Sequence, residues 1–161
     1  MSKVLILIRH AHRDTEDPSA DNGLSKKGIA QVESLVDYFH RHFEKEFEGM
    51  RPRFLSSPKK RCRETLGPLA AREKVEMTVD TRLSECSPTE DSRGFLSRIR
   101  EFAEDWRQGG RELTVICSHG DWIPELVAEL ANARISLKKA GFVEIRESAG
   151  ECVLSALVQK V

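Results

Sequence analysis

Apolar positions along this chain form short unbroken runs separated by longer stretches with helical spacing. Val4, Leu5, Ile6, Leu7 and Ile8 are continuous, the pattern of a strand buried on both faces in the middle of a parallel sheet. Residues 11–24 are polar, include Pro18 and Gly23, and read as a loop. Ser25 is placed to cap a long helix ending near Gly49, with Ile29, Val32, Val36, Phe39, Phe43 and Phe47 on one stripe. Residues 53–56 predict a short strand. Ser57-Pro58 then supplies an N-cap followed by proline at the first helical position. Cys62, Leu66, Leu69 and Ala70 make the buried face of that helix. Residues 75–79 predict a third strand. Ser87-Pro88-Thr89-Glu90 combines a capping box with an early proline, and the helix it starts runs through Phe95, Ile99, Phe102 and Trp106 to Gly109-Gly110. Residues 113–118 are another buried strand, followed by a helix capped by Asp121 with a tolerated early Pro124. Residues 142–145 and 152–157 predict a closing hairpin around Ala149-Gly150.

Strands alternating with helices imply an α/β fold, a three-layer α/β/α sandwich. Its central sheet is mostly parallel, and the hairpin adds one antiparallel strand. The length of 161 residues fits a single domain spanning 1–161. Lys+Arg and Asp+Glu both number 26, so the net charge is zero, which argues against general binding to nucleic acid or a membrane surface. The first apolar run is too short for a signal-peptide core or a membrane span. A cytoplasmic protein with reduced cysteines is expected. Cys62, Cys86, Cys117 and Cys152 form neither a C-x-x-C pair nor a zinc-like spacing with histidines. Arg51, Arg53, Lys59, Lys60, Arg61 and Arg63 crowd one stretch without an acid. That stretch is either a solvated face or a positive rim that attracts anions. His40 and His42 lie two apart on the long helix and are expected at the surface.

In a parallel sheet all the strand-to-helix loops open on one edge, where ligands bind. Here those loops carry Arg9, His10, His12 and Arg13, then Ser56, Ser57 and Arg61, then Arg82, Glu85 and Ser87, then His119, Gly120 and Asp121. Two imidazoles, several guanidinium groups and a carboxylate can therefore converge. A phosphoryl group carries close to two negative charges, and arginine grips it with paired hydrogen bonds. Histidine is a competent nucleophile toward phosphorus. A second imidazole can stabilise the transition state, and a carboxylic acid can protonate the leaving group.

Leu7-Ile8-Arg9-His10-Ala11 resembles the Arg-His-Gly motif of the histidine phosphatase (phosphoglycerate-mutase-like) superfamily. Leu24-Ser25-Lys26-Lys27-Gly28 with Gln31 resembles that family's helix start. Leu55-Ser56-Ser57-Pro58 with Arg61 and Thr65 resembles its Ser-Ser-Pro-x-x-Arg-x-x-x-Thr segment. Arg82-Leu83-Ser84-Glu85 resembles its acid loop, and residues 115–120 its second-histidine strand. The five segments occur in the family's order, from about residue 4 to 130. The size is closest to the SixA-type phosphohistidine phosphatases.

The resemblance implies a metal-independent phosphatase with no cofactor. His10 would be the phosphorylated nucleophile, Arg9 and Arg61 the phosphate clamp, His119 the partner imidazole and Glu85 the proton donor. Ser25, Gly120 and Asp121 would join Arg9 and Arg61 in binding a phosphorylated small molecule or phosphoprotein. Ala11 stands where the family has glycine, and its Cβ is expected to crowd an approaching anion. Glu16 replaces the asparagine of the mutase pattern and would repel a phosphorylated substrate, which disfavours a mutase. Two other readings are open: a non-catalytic phospho-ligand adaptor of the same fold, and a metal-dependent hydrolase using His10, His12 and Asp14.

Overall fold

The strand Lys3–Arg9, β1, lies where its apolar run predicts, in the interior of a six-stranded sheet. The computed structural model describes residues 2–161. The other strands are β2 (Arg53–Ser56), β3 (Met77–Val79), β4 (Leu113–Ser118), β5 (Phe142–Ser148) and β6 (Glu151–Val158). The sheet order is β3-β2-β4-β1-β5-β6. β1 through β4 pair in parallel. β5 is antiparallel to both β1 and β6, so it is the one strand that runs against the rest among the described residues.

The four helices are α1 (Lys26–Glu46), α2 (Lys60–Arg72), α3 (Ser92–Gln108) and α4 (Trp122–Ala131). Successive strand residues point to opposite faces, and β1 feeds both layers accordingly. Val4, Ile6 and Ile8 pack with α1 and α2, whereas Leu5 and Leu7 pack with α3 and α4. This is the expected three-layer sandwich. No helix among the described residues is long and apolar enough to cross a membrane.

Several local expectations need correction. Ile29 is 52% exposed; Gly28, Val32, Leu35, Phe39 and Phe43 form the buried stripe instead. Ile29 follows Gly28 by one residue, a rotation of about 100° that turns it out of the stripe. His40 and His42 are half-buried rather than free at the surface. His40 Nδ1 lies 3.0 Å from Glu73, and His42 Nε2 lies 3.4 Å from Glu144. Both reach carboxylates from other elements, which helix-surface reasoning does not see.

Three caps are also displaced. α2 begins at Lys60, not Pro58, and the Ser57 hydroxyl is shared between His119 across the sheet edge at 2.8 Å and the Lys59 amide at 3.4 Å. α3 is capped by Asp91, whose side chain accepts from the Gly94 amide at 2.7 Å. Glu90 pairs instead with Arg98. Asp121 precedes α4 without a side-chain cap bond. Ser25 does cap α1, accepting from the Gly28 amide at 3.2 Å.

Candidate active site

β1 ends at Arg9, and its last residues open onto the C-terminal edge of the sheet. This ending resolves a steric difficulty, because neighbours inside a strand face opposite ways. The His10 amide still donates to Ser118 at 3.0 Å, and the Ala140 amide lies 3.1 Å from the Arg9 carbonyl and 3.3 Å from that of His10. The chain is thus pinned from both sides as it leaves the sheet. Arg9 Nη1 donates to the Leu137 carbonyl at 2.6 Å. Its guanidinium lies against Gly120, where a Cβ would come 2.7 Å from Arg9 Cζ. Glycine at this position leaves the space that the guanidinium fills.

His10 is buried, and its Nδ1 lies 2.8 Å from the Ala11 carbonyl. A carbonyl only accepts, so Nδ1 carries the proton and Nε2 keeps a free lone pair. Burial pushes the His10 imidazole down to about 3. The charges of Arg61, His119 and Arg9 push the same way, against the pull of the Ala11 carbonyl. The ring is therefore neutral near pH 7. Ala11 does not crowd the centre as expected. Its side chain is fully buried in the core on the α1 and α2 side, and its amide donates to Thr65 Oγ1 at 3.0 Å.

The His119 ring faces His10 edge-on, with centroids 5.4 Å apart. Its Nε2 lies 2.8 Å from Ser57 Oγ, and its Nδ1 lies 3.3 Å from Arg61 Nη2 and 3.7 Å from Glu85 Oε2. Arg61 is buried at the start of α2 and donates from Nη2 to Glu85 Oε1 at 2.7 Å. Burial alone would raise the Glu85 pKa, but Arg61, His119 and Lys59 overcome it and hold the carboxyl below its ordinary range. Glu85 thus serves as a resident anion on Arg61. The Nε atoms of Arg9 and Arg61 are buried without hydrogen-bond partners. Burial also lowers the Arg9 pKa, an effect that Asp121 partly offsets.

The structure brings His10, Arg61, His119 and Glu85 into one cluster, with Arg9 and Gly120 at its side. Ser25 and Asp121 have other partners. Ser25 Oγ is 2.8 Å from His12 Nδ1, so it braces the loop that follows His10. Asp121 accepts from the Cys86 amide at 2.9 Å and tethers the loop that carries Glu85. His10, His12 and Asp14 do not assemble into a metal site. The two Nδ1 atoms are committed to Ala11 and Ser25, and no group of three or more potential ligand side chains occurs among the described residues.

The residue patterns did not reveal the bracing contacts. Thr65, one turn after Arg61, donates to the Arg61 carbonyl at 2.7 Å while receiving the Ala11 amide. Gln31 accepts from the His12 amide at 2.9 Å. A Cβ on Gly28 would lie 2.0 Å from the His12 carbonyl oxygen, so α1 packs directly on the loop after His10. The motif spacing marks Thr65, Gln31 and Gly28, but only the folded chain shows what they touch.

A phosphoglycerate-mutase-like sandwich with two facing imidazoles and a buried arginine defines the class. Residues 5–90 match the histidine phosphatase superfamily (branch 1), and the chain belongs to that family. No curated protein sequence matches the chain. Among solved structures, an Entamoeba histolytica phosphoserine phosphatase in complex with phosphoserine has a TM-score of 0.77 at 17% identity, covering 97% of this chain and 96% of its own. A mycobacterial glucosyl-3-phosphoglycerate phosphatase gives 0.73 at 17% identity, with 100% of both chains covered. An Escherichia coli protein named only as a candidate alpha-ribazole-5′-P phosphatase gives 0.82 at 16% identity, covering 97% and 96%. At these identities the likeness is one of fold.

Proposed function

We propose that the protein is a metal-independent phosphatase that works through a covalent phosphohistidine on His10. The observation that carries this reading is the state of that imidazole. It is buried, neutral, held by the Ala11 carbonyl at Nδ1, and adjacent to Arg61 and His119. A nucleophile in that state needs no base to activate it.

The phosphoryl group of a phosphomonoester or a protein phosphohistidine enters between His10 and Arg61 and displaces Glu85 from the guanidinium. Its negative charge replaces that of the carboxylate on Arg61, and the loss of that contact raises the affinity of Glu85 for a proton. Nε2 of His10 attacks phosphorus in line, and the bond from phosphorus to the leaving atom breaks. Glu85, which takes up a proton from solvent once Arg61 has released it, gives that proton to the leaving atom. Arg61, with Arg9 at its side, balances the charge on the transferring oxygens. His119, fixed by Ser57, keeps Arg61 in place and completes the wall. In the second half Glu85 takes a proton from water, the oxygen attacks phosphorus, and the N–P bond breaks to release phosphate and neutral His10.

Turnover of para-nitrophenyl phosphate in EDTA tests the reading. Wild-type protein is expected to be active, and His10→Ala to lose activity by more than the roughly 10²–10⁴-fold typical of a lost acid or base. A base-quenched reaction with labelled substrate is expected to leave acid-labile phosphate on His10. Activity that disappears in EDTA and returns with zinc would refute it, as would a His10→Ala variant with undiminished turnover. Tight phosphopeptide binding without turnover would make the protein an adaptor.

A further inference from the structure

On the far side of Arg9 lies a second concavity of about 640 Å³. Its walls include Arg9, Lys27, Lys138, Lys139 and Lys160, but no aspartate or glutamate side chain. Five cationic side chains are thus gathered in one cleft of a chain whose net charge is zero. Concentrating like charges in one cleft costs electrostatic energy, and an anion bound among them relieves it. Lys139 registers this crowding. Burial lowers its pKa first, and the charges of Arg9, Arg13, Lys27 and Arg61 lower it further.

The cleft adjoins the His10 centre through Arg9 and the segment 137–140. Lys138 and Lys139 sit between Leu137, whose carbonyl holds the Arg9 guanidinium, and Ala140, whose amide pins the Arg9 and His10 carbonyls. The Lys138 amide donates to Gln159 Oε1 at 2.7 Å, and Gln159 Nε2 donates to the Ser136 carbonyl at 2.9 Å. One guanidinium therefore forms a wall of the cleft and flanks the His10 centre.

We propose that this cleft is a second anion subsite, and that the substrate is a small phosphate ester carrying a further phosphate or carboxylate group. The proposal rests on reading the His10 centre as a phosphatase. The phosphoryl group to be removed sits over His10 while the second anion lies among the lysines. The cavity volume falls within the range of small-molecule sites, which favours a compact ligand over a protein surface.

The test compares alkanediol bisphosphates of increasing length with their matched monophosphates, and with phosphocarboxylates of the same lengths. At one spacing, the doubly anionic substrate is expected to exceed its monophosphate by about tenfold or more in kcat/KM, mainly through KM. The bisphosphate and phosphocarboxylate arms tell which second group is preferred. In the Lys139→Gln/Lys160→Gln variant the ratio of the two rate constants is expected to fall toward one, whatever happens to the absolute rates. The wild-type ratio is expected to fall likewise with added salt, since exposed charges are screened over about 10 Å at 0.1 M. Equal kcat/KM values across the whole series would overturn the subsite and leave the phosphatase standing. Absence of any turnover, of esters and of phosphohistidine alike, would overturn the phosphatase. Calorimetric binding of the bisphosphates and monophosphates to His10→Ala would then still decide the subsite, and equal affinities would reject it. Faster turnover of an acidic phosphoprotein with the same lysine dependence would overturn the small-ligand assignment.

Discussion

Replacing His10 with glutamine removes a titrating group but keeps a polar side chain of similar reach. In the folded protein burial, with Arg61, His119 and Arg9, pushes this imidazole down to about 3 from 6.5. In the unfolded chain it titrates near its ordinary value. As pH falls through 6.5, the unfolded chain takes up a proton that the native state refuses until about pH 3. Native stability is therefore lost across that window and is fully present above it. Each pH unit inside the window costs about 1.36 kcal/mol. At pH 4.5, two units below the ordinary value, the cost is about 2.7 kcal/mol. For a chain of 161 residues, each kcal/mol moves Tm by roughly 2–4 °C. Thermal melts of wild-type protein and His10→Gln at pH 7 and pH 4.5 read this directly. The Tm of the variant, relative to wild type, is expected to rise by about 5–11 °C between the two conditions. Comparing two pH values cancels the cost of the substitution itself and the carboxylates common to both proteins. A Tm difference that stays constant would refute a buried, neutral His10 imidazole. The same property predicts that any acid limb of kcat/KM above pH 5 belongs to a group other than His10.

Three further outcomes follow from the contacts around the site. Glu85→Gln is expected to slow alkyl phosphates by about 10²–10⁴-fold but para-nitrophenyl phosphate much less, because nitrophenolate leaves with little help. The same variant should be inhibited more strongly by inorganic phosphate, since Arg61 is freed of its resident anion; unchanged inhibition in a rate assay would contradict that role. Gly28→Ala places a Cβ 2.0 Å from the His12 carbonyl oxygen, a backbone atom that cannot swing aside. Overpacking of about 1–3 kcal/mol exceeds the gain in helix propensity of about 1 kcal/mol, so Tm by circular dichroism should fall by several degrees, and an unchanged or higher Tm would show that the loop yields freely.

The residue pattern made the layers legible because β1 and β4 are unbroken apolar runs and the helices carry clear stripes. Arg9, His10, Arg61, Glu85 and His119 could be grouped because parallel strands deliver their following loops to one edge. The helix starts were less legible for a shared reason. Ser57 bonds to His119 as well as to the Lys59 amide, and Glu90 and Asp121 bond to Arg98 and the Cys86 amide rather than to the nearest helix amides. Short-range spacing cannot foresee such long-range partners. Ala11 was misread because its identity does not reveal that its Cβ enters the core. The lysine cleft was invisible because Lys27, Lys138 and Lys139, and Lys160 come from three segments that only the closed sheet brings together.

β1 is the first strand of the chain, yet its two neighbours in the sheet are β4 and β5. Loops across so many residues close slowly, and a ribosome presents the N-terminal part first. The turn that clamps Arg9 and His10, residues 137–140, is made well after them, since Leu137 lies 128 residues beyond Arg9. A nascent chain, or one cut before residue 137, would therefore carry His10 in an unassembled, solvent-soaked state. The pocket around it closes late in synthesis, as a by-product of strand order.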